Sequence, residues 1–281
     1  MGVSLKAQHF IKAHKRSMDC FMTIFTAAAG LSNPHLQTLV PRFIRKQALF
    51  APQWQTLETP DGDFLDLDWS FSTNKTQKVV ILIHGVEGNA QRAYIKGSAK
   101  EFNLNGYDTC AINLRGCSGE TNRLYRSYHA GVTEDLEILV DHILSTTSYS
   151  ELYIKGFSLG GNLTLKYLGE HRNIPKEIKA GMAVSVPCNL YDSQLKFLKG
   201  ENWIYGTRFK KQMLRKLLVK RQLFPKEITE IEIQNIKTLK GFGVAELESG
   251  IIAGGAAMYY LSETQHNKIE HIQSISRIAE D

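Results

Sequence analysis

The chain has 281 residues, enough for one large α/β domain or two small ones with a full apolar core. Its hydrophobic content of 43% and charged content of 22% are those of a globular protein in water, and a net charge of +6 over this length is too small to argue for nucleic acid as a partner. The four cysteines, Cys20, Cys110, Cys117 and Cys188, lie far apart without metal-type spacing, which argues against a zinc site or a disulfide framework and makes a reduced, cytoplasmic protein the simplest expectation.

In chain order, Lys12, His14, Lys15 and Arg16 precede an apolar stretch from Cys20 to Ala29 that faintly imitates a signal peptide. Thr23 and Thr26 interrupt it and it is far too short to span a bilayer, so secretion is not expected. Gln55–Glu58 and Phe64–Trp69 flank Thr59-Pro60-Asp61-Gly62-Asp63, a strand–turn–strand signal. Leu65, Leu67 and Trp69 alternate with Asp66 and Asp68, which predicts a hairpin with one wet face at a sheet edge.

The pattern then changes. Val79–Ile83 is apolar without alternation, as in a strand covered on both faces, and a helix is expected over 90–104. Thr109–Ile112 is the next buried strand. Thr133 is the expected N-cap of a helix running to about Ser145, with Leu136, Leu139, Val140 and Ile143 as its inner stripe. Leu152–Lys155 is a third buried strand and Gly181–Val186 a fourth, ending at Pro187. Such strand–helix repeats predict a mostly parallel, doubly wound sheet whose reactive loops gather at the carboxyl ends of the strands, where His84, Asn113, Ser158 and Pro187 begin loops.

Between the third strand and the helix expected over 162–171 stands Gly156-Phe157-Ser158-Leu159-Gly160-Gly161. In strand–turn–helix context, Gly-x-Ser-x-Gly reads as a nucleophile elbow. The serine sits on a sharp strained turn, and its small neighbours let strand and helix pass closely. The helix N-terminus points unpaired N–H groups at the reacting centre. Ser158 is therefore the candidate nucleophile of an acyl-transfer enzyme. The Leu159 backbone N–H, one residue on, is the first candidate oxyanion donor, and the Val86 N–H in His84-Gly85-Val86-Glu87-Gly88 is the second. His84 reads as a residue that orients this loop rather than as a base.

In Asn113-Leu114-Arg115-Gly116-Cys117-Ser118-Gly119, Arg115 is placed to pair with a loop carboxylate and Cys117 reads as a packed bystander. Neither phosphate-binding glycine pattern occurs, so no nucleotide cofactor is expected, and no cofactor or metal is called for by any other motif. From Cys188 to Gly241 the alternation stops and the chain reads as helical, a cap over 188–250 inserted between late strands. Arg208–Arg221 holds seven Lys or Arg and no acid, with Phe209, Met213, Leu214, Leu217 and Leu218 at helical spacing. It reads either as a solvated basic helix packed on the core or as a peripheral contact to an anionic membrane.

Taken together, Asn33-Pro34-His35-Leu36-Gln37-Thr38, Asp61–Asp66, His84–Gly88, Asn113–Gly119, Tyr128-His129 with Glu134-Asp135, and Gly156–Asn162 resemble the YheT-like α/β-hydrolases. That group is related to animal α/β-hydrolase-domain lipases and plant embryogenesis-associated hydrolases. The resemblance runs from roughly Phe25 to Phe242. It implies an α/β-hydrolase fold over 22–281 behind an extension of residues 1–21. It also implies a serine hydrolase of carboxylic esters, with lipid or short-chain acyl esters as substrates.

This fold orders its triad Ser, Asp or Glu, His. Ile272–Ile278 reads as the late strand and Asp281 as standing at or just before the acid's position, with no histidine after it and the final strand and helix of the fold missing. His129, in a loop on the catalytic side, is the best substitute base. The alternative expectation is therefore a catalytically impaired, truncated remnant that binds acyl ligands or a membrane surface.

Overall fold

The computed structural model describes residues 27–44, 52–170, 173–189, 193, 196 and 200–235. The chain divides after Lys46 into two units. In the first, helix α1 spans Pro34–Ile44. Asn33 caps it, its Oδ1 accepting the His35 N–H at 2.8 Å, and Pro34 takes a first-turn position where no N–H is needed.

The second unit is built on a six-stranded sheet in the order β1-β2-β4-β3-β5-β6. The strands are β1 (Gln53–Glu58), β2 (Phe64–Ser70), β3 (Lys78–Ile83), β4 (Asp108–Asn113), β5 (Glu151–Phe157) and β6 (Ile178–Val184). β1 and β2 form the expected antiparallel hairpin, β2 pairs antiparallel with β4, and β4, β3, β5 and β6 run parallel. The hairpin lies at the sheet edge as expected, with β1 outermost, but its wet face fails: all residues of β2 are buried, Asp66 and Asp68 included. Both carboxylates have partners: Asp66 accepts from Thr56, and Asp68 from Gln91 and Asn113. Alternation alone cannot distinguish water from such partners.

β3 is covered on both faces, which is why it reads as an unbroken apolar run. Val79, Ile81 and Ile83 pack with the stripe Leu136, Leu139, Val140 and Ile143 of α3 (Glu134–Thr146) and with Leu159 and Leu163 of α4 (Leu159–Gly169). Val80 and Leu82 pack with Ile95 and Ala99 of α2 (Ala93–Leu104) on the other face. The chain thus leaves β3 toward one face and β5 toward the other. In such sheets ligands bind at the carboxyl ends of adjacent strands whose connections leave toward opposite faces, as those of β3 and β5 do. Thr133 stands at the N-cap of α3 but makes no side-chain cap; its hydroxyl donates to Glu170 Oε2 at 2.7 Å instead.

Beyond β6 the described residues form a 3₁₀ turn (Gly200–Asn202), the long α5 (Trp203–Leu223) and the short α6 (Glu230–Asn235). Met213 and Leu217 of α5 bury against Ile228, with Phe209, Leu214 and Tyr125 alongside. The expected strand at Ile272–Ile278, Asp281 and the extension 1–21 lie outside the described residues.

Candidate active site

Ser158 joins β5 to α4 with φ 52° and ψ −118°, a left-handed conformation that a non-glycine residue holds only under constraint. Two glycines make the turn possible. A Cβ on Gly156 would lie 2.0 Å from the Gly160 carbonyl oxygen, and one on Gly160 would lie 2.5 Å from Ile83 O and 2.7 Å from His84 O. The helix N-terminus is therefore seated directly on the end of β3, and α4 starts at Leu159, earlier than expected from the sequence. The Ser158 N–H donates to Val184 O at 2.8 Å, which ties the elbow to β6.

The loop after β3 approaches from the other side. A Cβ on Gly85 would stand 3.1 Å from Ser158 Cβ and 3.7 Å from its Oγ. Glycine here lets backbone face the nucleophile closely. Gly85 N–H is occupied by Tyr94 Oη at 3.1 Å, Glu87 N–H by Tyr128 Oη at 2.9 Å, and Gly88 N–H by Gly85 O at 2.9 Å. The Val86 and Leu159 N–H groups have no hydrogen-bond partner among the described residues, although Val86 is half-buried and Leu159 fully buried. Unpaired buried N–H groups are rare. Leu159 follows the serine in the chain, and Val86 follows Gly85, whose Cβ position lies 3.1 Å from Ser158 Cβ.

His84 is fully buried and bridges two loops: its Nδ1–H donates to Gly85 O at 2.7 Å, and its Nε2 accepts the Leu114 N–H at 3.2 Å. Burial pushes its pKa down to about 4. With both ring nitrogens committed, His84 orients the loops and has no lone pair left for a serine proton. His129 accepts the Gly131 N–H on its Nδ1 at 3.1 Å, and burial lowers its pKa to about 4 as well. No hydrogen bond joins it to Ser158 among the described residues.

Arg115 finds three carboxylates rather than one. Its guanidinium donates to Asp135 at 2.7–3.0 Å, to Asp61 Oδ2 at 2.9 Å and to Asp63 Oδ2 at 3.0 Å, with its own side chain 1% exposed. These bonds fasten the loop after β4 to the hairpin turn and to the start of α3. Cys117 is buried, and burial raises its thiol pKa. It contacts Lys216 of α5, whose Nζ lies 3.1 Å from its Sγ and 3.0 Å from Glu87 Oε1. Lys220, one turn on, donates to Asn122 O at 2.9 Å, to Asn122 Oδ1 at 2.7 Å and to Leu124 O. A cavity of about 340 Å³ lies between α5 and these loops, with Glu87, Cys117, Tyr128, Met213 and Lys216 in its wall. Sequence reading put Glu87 in the oxyanion loop and Tyr128 in a shared motif without a role for either side chain, and missed Lys216 and Lys220 as members of the site region. Of the basic residues counted as cap charge, Lys220 is buried and Lys216, half-exposed, reaches Glu87 and Cys117.

An α/β-hydrolase fold is what this strand order, elbow and loop arrangement define. The alpha/beta hydrolase fold family matches residues 78–214. The chain is 36% identical over 184 residues to "Putative esterase YheT" of Escherichia coli K12, covering 64% of this chain and 54% of that protein. It is 29% identical over 215 residues to phospholipase ABHD3 of Bos taurus, covering 73% of this chain and 52% of that protein. The chain has the α/β-hydrolase fold, is similar to YheT-like esterase and lipase relatives, and spans about half the length of these curated relatives. A further similarity is of another kind: 77% identity over 44 residues, 16% of this chain and 5% of that protein, to the DNA mismatch repair protein MutS of Flavobacterium psychrophilum.

Proposed function

We propose that this fold performs acyl transfer from carboxylic esters, with Ser158 as nucleophile and the Val86 and Leu159 N–H groups as oxyanion donors. The observation that carries it is a serine held at φ 52° with unpartnered N–H groups on the next residue, Leu159, and on Val86, which follows the Gly85 that faces the serine. Attack by Oγ on the ester carbonyl makes a tetrahedral centre whose negative oxygen needs preorganised donors, and one such donor is worth roughly 10²–10³ in rate. Collapse breaks the ester C–O bond and leaves an acyl-enzyme, the serine proton passing to the departing alcohol; water then cleaves the acyl-enzyme to the carboxylic acid and returns a proton to Ser158. Asp281 is the proposed acid of the site. Lipid or short-chain acyl esters are the proposed substrates, in keeping with an esterase and a phospholipase among the relatives. A fluorophosphonate probe is expected to label the wild type and not Ser158→Ala; no labelling of well-folded wild type would defeat the proposal.

We infer a second reading, a catalytically impaired binding module, from the similarity to MutS. The matched residues 78–214 and the Asn33–Thr38 and Asp61–Asp66 motifs belong with the hydrolase, and the stretch after residue 214 can hold 44 more residues, while those before Asn33 and between Thr38 and Asp61 cannot. A triad in the order Ser, Asp, His needs its acid and base in that same stretch. Without them, oxyanion donors and binding retain roughly 10³–10⁴-fold over water. Turnover of a p-nitrophenyl ester that vanishes in Ser158→Ala supports the first reading. Labelling without turnover supports the second.

Peripheral membrane contact through Arg208–Arg221 is a further part of the proposal. Leu218, Val219 and Leu223 are exposed on α5 together with Lys211 and Arg215, an apolar patch beside positive charge. Binding to anionic vesicles that weakens with salt is expected, and equal binding after Lys211→Glu with Arg215→Glu would rule it out.

A further inference from the structure

We propose that Lys216 of the cap helix is a positioning residue for the oxyanion loop: by holding the Glu87 carboxylate it fixes the turn that presents the Val86 N–H, so that docking of α5 and assembly of the oxyanion hole are one event. This rests on the assignment of Val86 as a donor, but its physical content, a cap-to-loop coupling, can be measured without any catalysis.

Glu87 is the next residue after Val86 and stands at φ 52°, left-handed backbone that a long side chain does not adopt unaided. Its polar atoms are gripped from several directions. Its N–H donates to Tyr128 Oη at 2.9 Å, Tyr128 Oη–H donates to its Oε1 at 2.8 Å, and Arg92 Nη2 donates to its carbonyl oxygen at 2.7 Å. Lys216 Nζ completes the set at 3.0 Å from Oε1.

Tyr128 and Arg92 belong to the sheet domain, so their grip does not report where the cap is. Lys216 does, because it sits in α5, on the same helix turn that buries Met213 and Leu217. Charge makes it more than one contact among four. Glu87 is 8% exposed, and among the described residues Lys216 is the cation paired with its carboxylate, since Arg92 is spent on the backbone carbonyl. A buried carboxylate stripped of its cation must take up a proton or move toward water. Either response disturbs the bond from Tyr128 and, through it, the turn. The ammonium also lies over the Tyr128 ring, 5.2 Å from its centroid, so its loss would loosen both ends of the Tyr128–Glu87 pair. Lys220, one turn on in α5, grips Asn122 and Leu124 instead and leaves the Glu87 turn alone.

The test compares wild type with Lys216→Met, which keeps the stem and removes the charge, and Lys216→Arg, which keeps the charge. Hydrogen–deuterium exchange is followed in the peptide spanning 83–90, which carries the bonded Glu87 and Gly88 amides, and in α5. Lys216→Met is expected to speed exchange in 83–90 roughly tenfold or more with α5 unchanged, and Lys216→Arg to restore most of the protection. The fluorophosphonate labelling rate of Ser158 should fall in parallel without a change in half-saturating probe concentration. Unchanged exchange in 83–90 while α5 stays protected overturns the proposal. If Lys216→Met also unlocks α5, a double-mutant cycle of Lys216→Met with Glu87→Gln decides: effects on exchange in 83–90 that fail to add uphold the coupling, and additive effects overturn it. A wild type that is never labelled defeats the hydrolase reading, while the exchange arm still decides the role of Lys216.

Discussion

At the scale of single residues, the backbone at Ser158 carries a measurable cost. Holding a non-glycine residue at φ 52° costs about 1–3 kcal/mol. Ser158→Gly is therefore expected to raise the urea midpoint by an amount equivalent to about 1 kcal/mol, whereas Ser158→Ala, which keeps the Cβ, leaves it near wild type. Equal midpoints for the two variants would show that the elbow is unstrained. His84 and His129 make a second prediction. Burial depresses both to about 4, below their ordinary 6.5, so between those pH values the unfolded chain binds more protons than the native one. Stability is then full above pH about 6.5 and falls on acidification toward pH 4, by at most about 3 kcal/mol per histidine. His129→Asn keeps an acceptor for the Gly131 N–H and removes the titration, so its unfolding midpoint should drop less than that of wild type between pH 7 and pH 4.5. Parallel curves would show that His129 does not titrate in this window.

At the scale of elements, the elbow was legible in the sequence because it is local: strand, turn and helix are contiguous, and the glycines are required by contacts within a few residues. Gly160 is the exception, since what forbids a side chain there is the end of β3, far away in the chain. Gly160→Ala is expected to push α4 off Ile83 and His84, cost more than about 1 kcal/mol on overpacking alone, and reduce Ser158 labelling. Normal stability and labelling in that variant would mean that helix and strand can part without consequence. β2 was misread for the opposite reason. Asp66 and Asp68 look like a wet face in the sequence, yet Gln91 and Asn113, brought in by other elements, replace the water. Thr133 was a sound N-cap by type, but Glu170 at the far end of α4 claimed its hydroxyl. Local chemistry set the kind of element; partners distant in sequence set which side chains it buries.

At the scale of the whole molecule, the parallel sheet and its helices follow the order expected from hydrophobic patterning, while the electrostatic framework shows in the sequence only in part. Arg115 was readable as a residue in want of a carboxylate. That it collects Asp61, Asp63 and Asp135 could not be seen, because the hairpin turn and α3 meet the loop only once the sheet is assembled. Arg115→Met is expected to leave Asp63 without its cation and Asp61 and Asp135 with only the longer contacts to Arg126, and to destabilise by about 3–5 kcal/mol, read by urea unfolding at pH 7. A loss below about 1 kcal/mol would mean that the framework is dispensable. Lys216 and Lys220 carry the same lesson for the cap: helical spacing located α5, but not the two ammonium groups that it brings onto Glu87, Asn122 and Leu124.

The Arg115 framework also decides where the chain can be cut or decorated. A hairpin tip is ordinarily the first place to insert a reporter tag or to split a protein for fragment complementation. Here the tip at Asp61-Gly62-Asp63 is anchored to the loop after β4, and an insertion there would pull two carboxylates off a buried guanidinium. Thr73-Asn74-Lys75, exposed between β2 and β3, carries no such anchor to the site loops and is the better seam for engineering this fold.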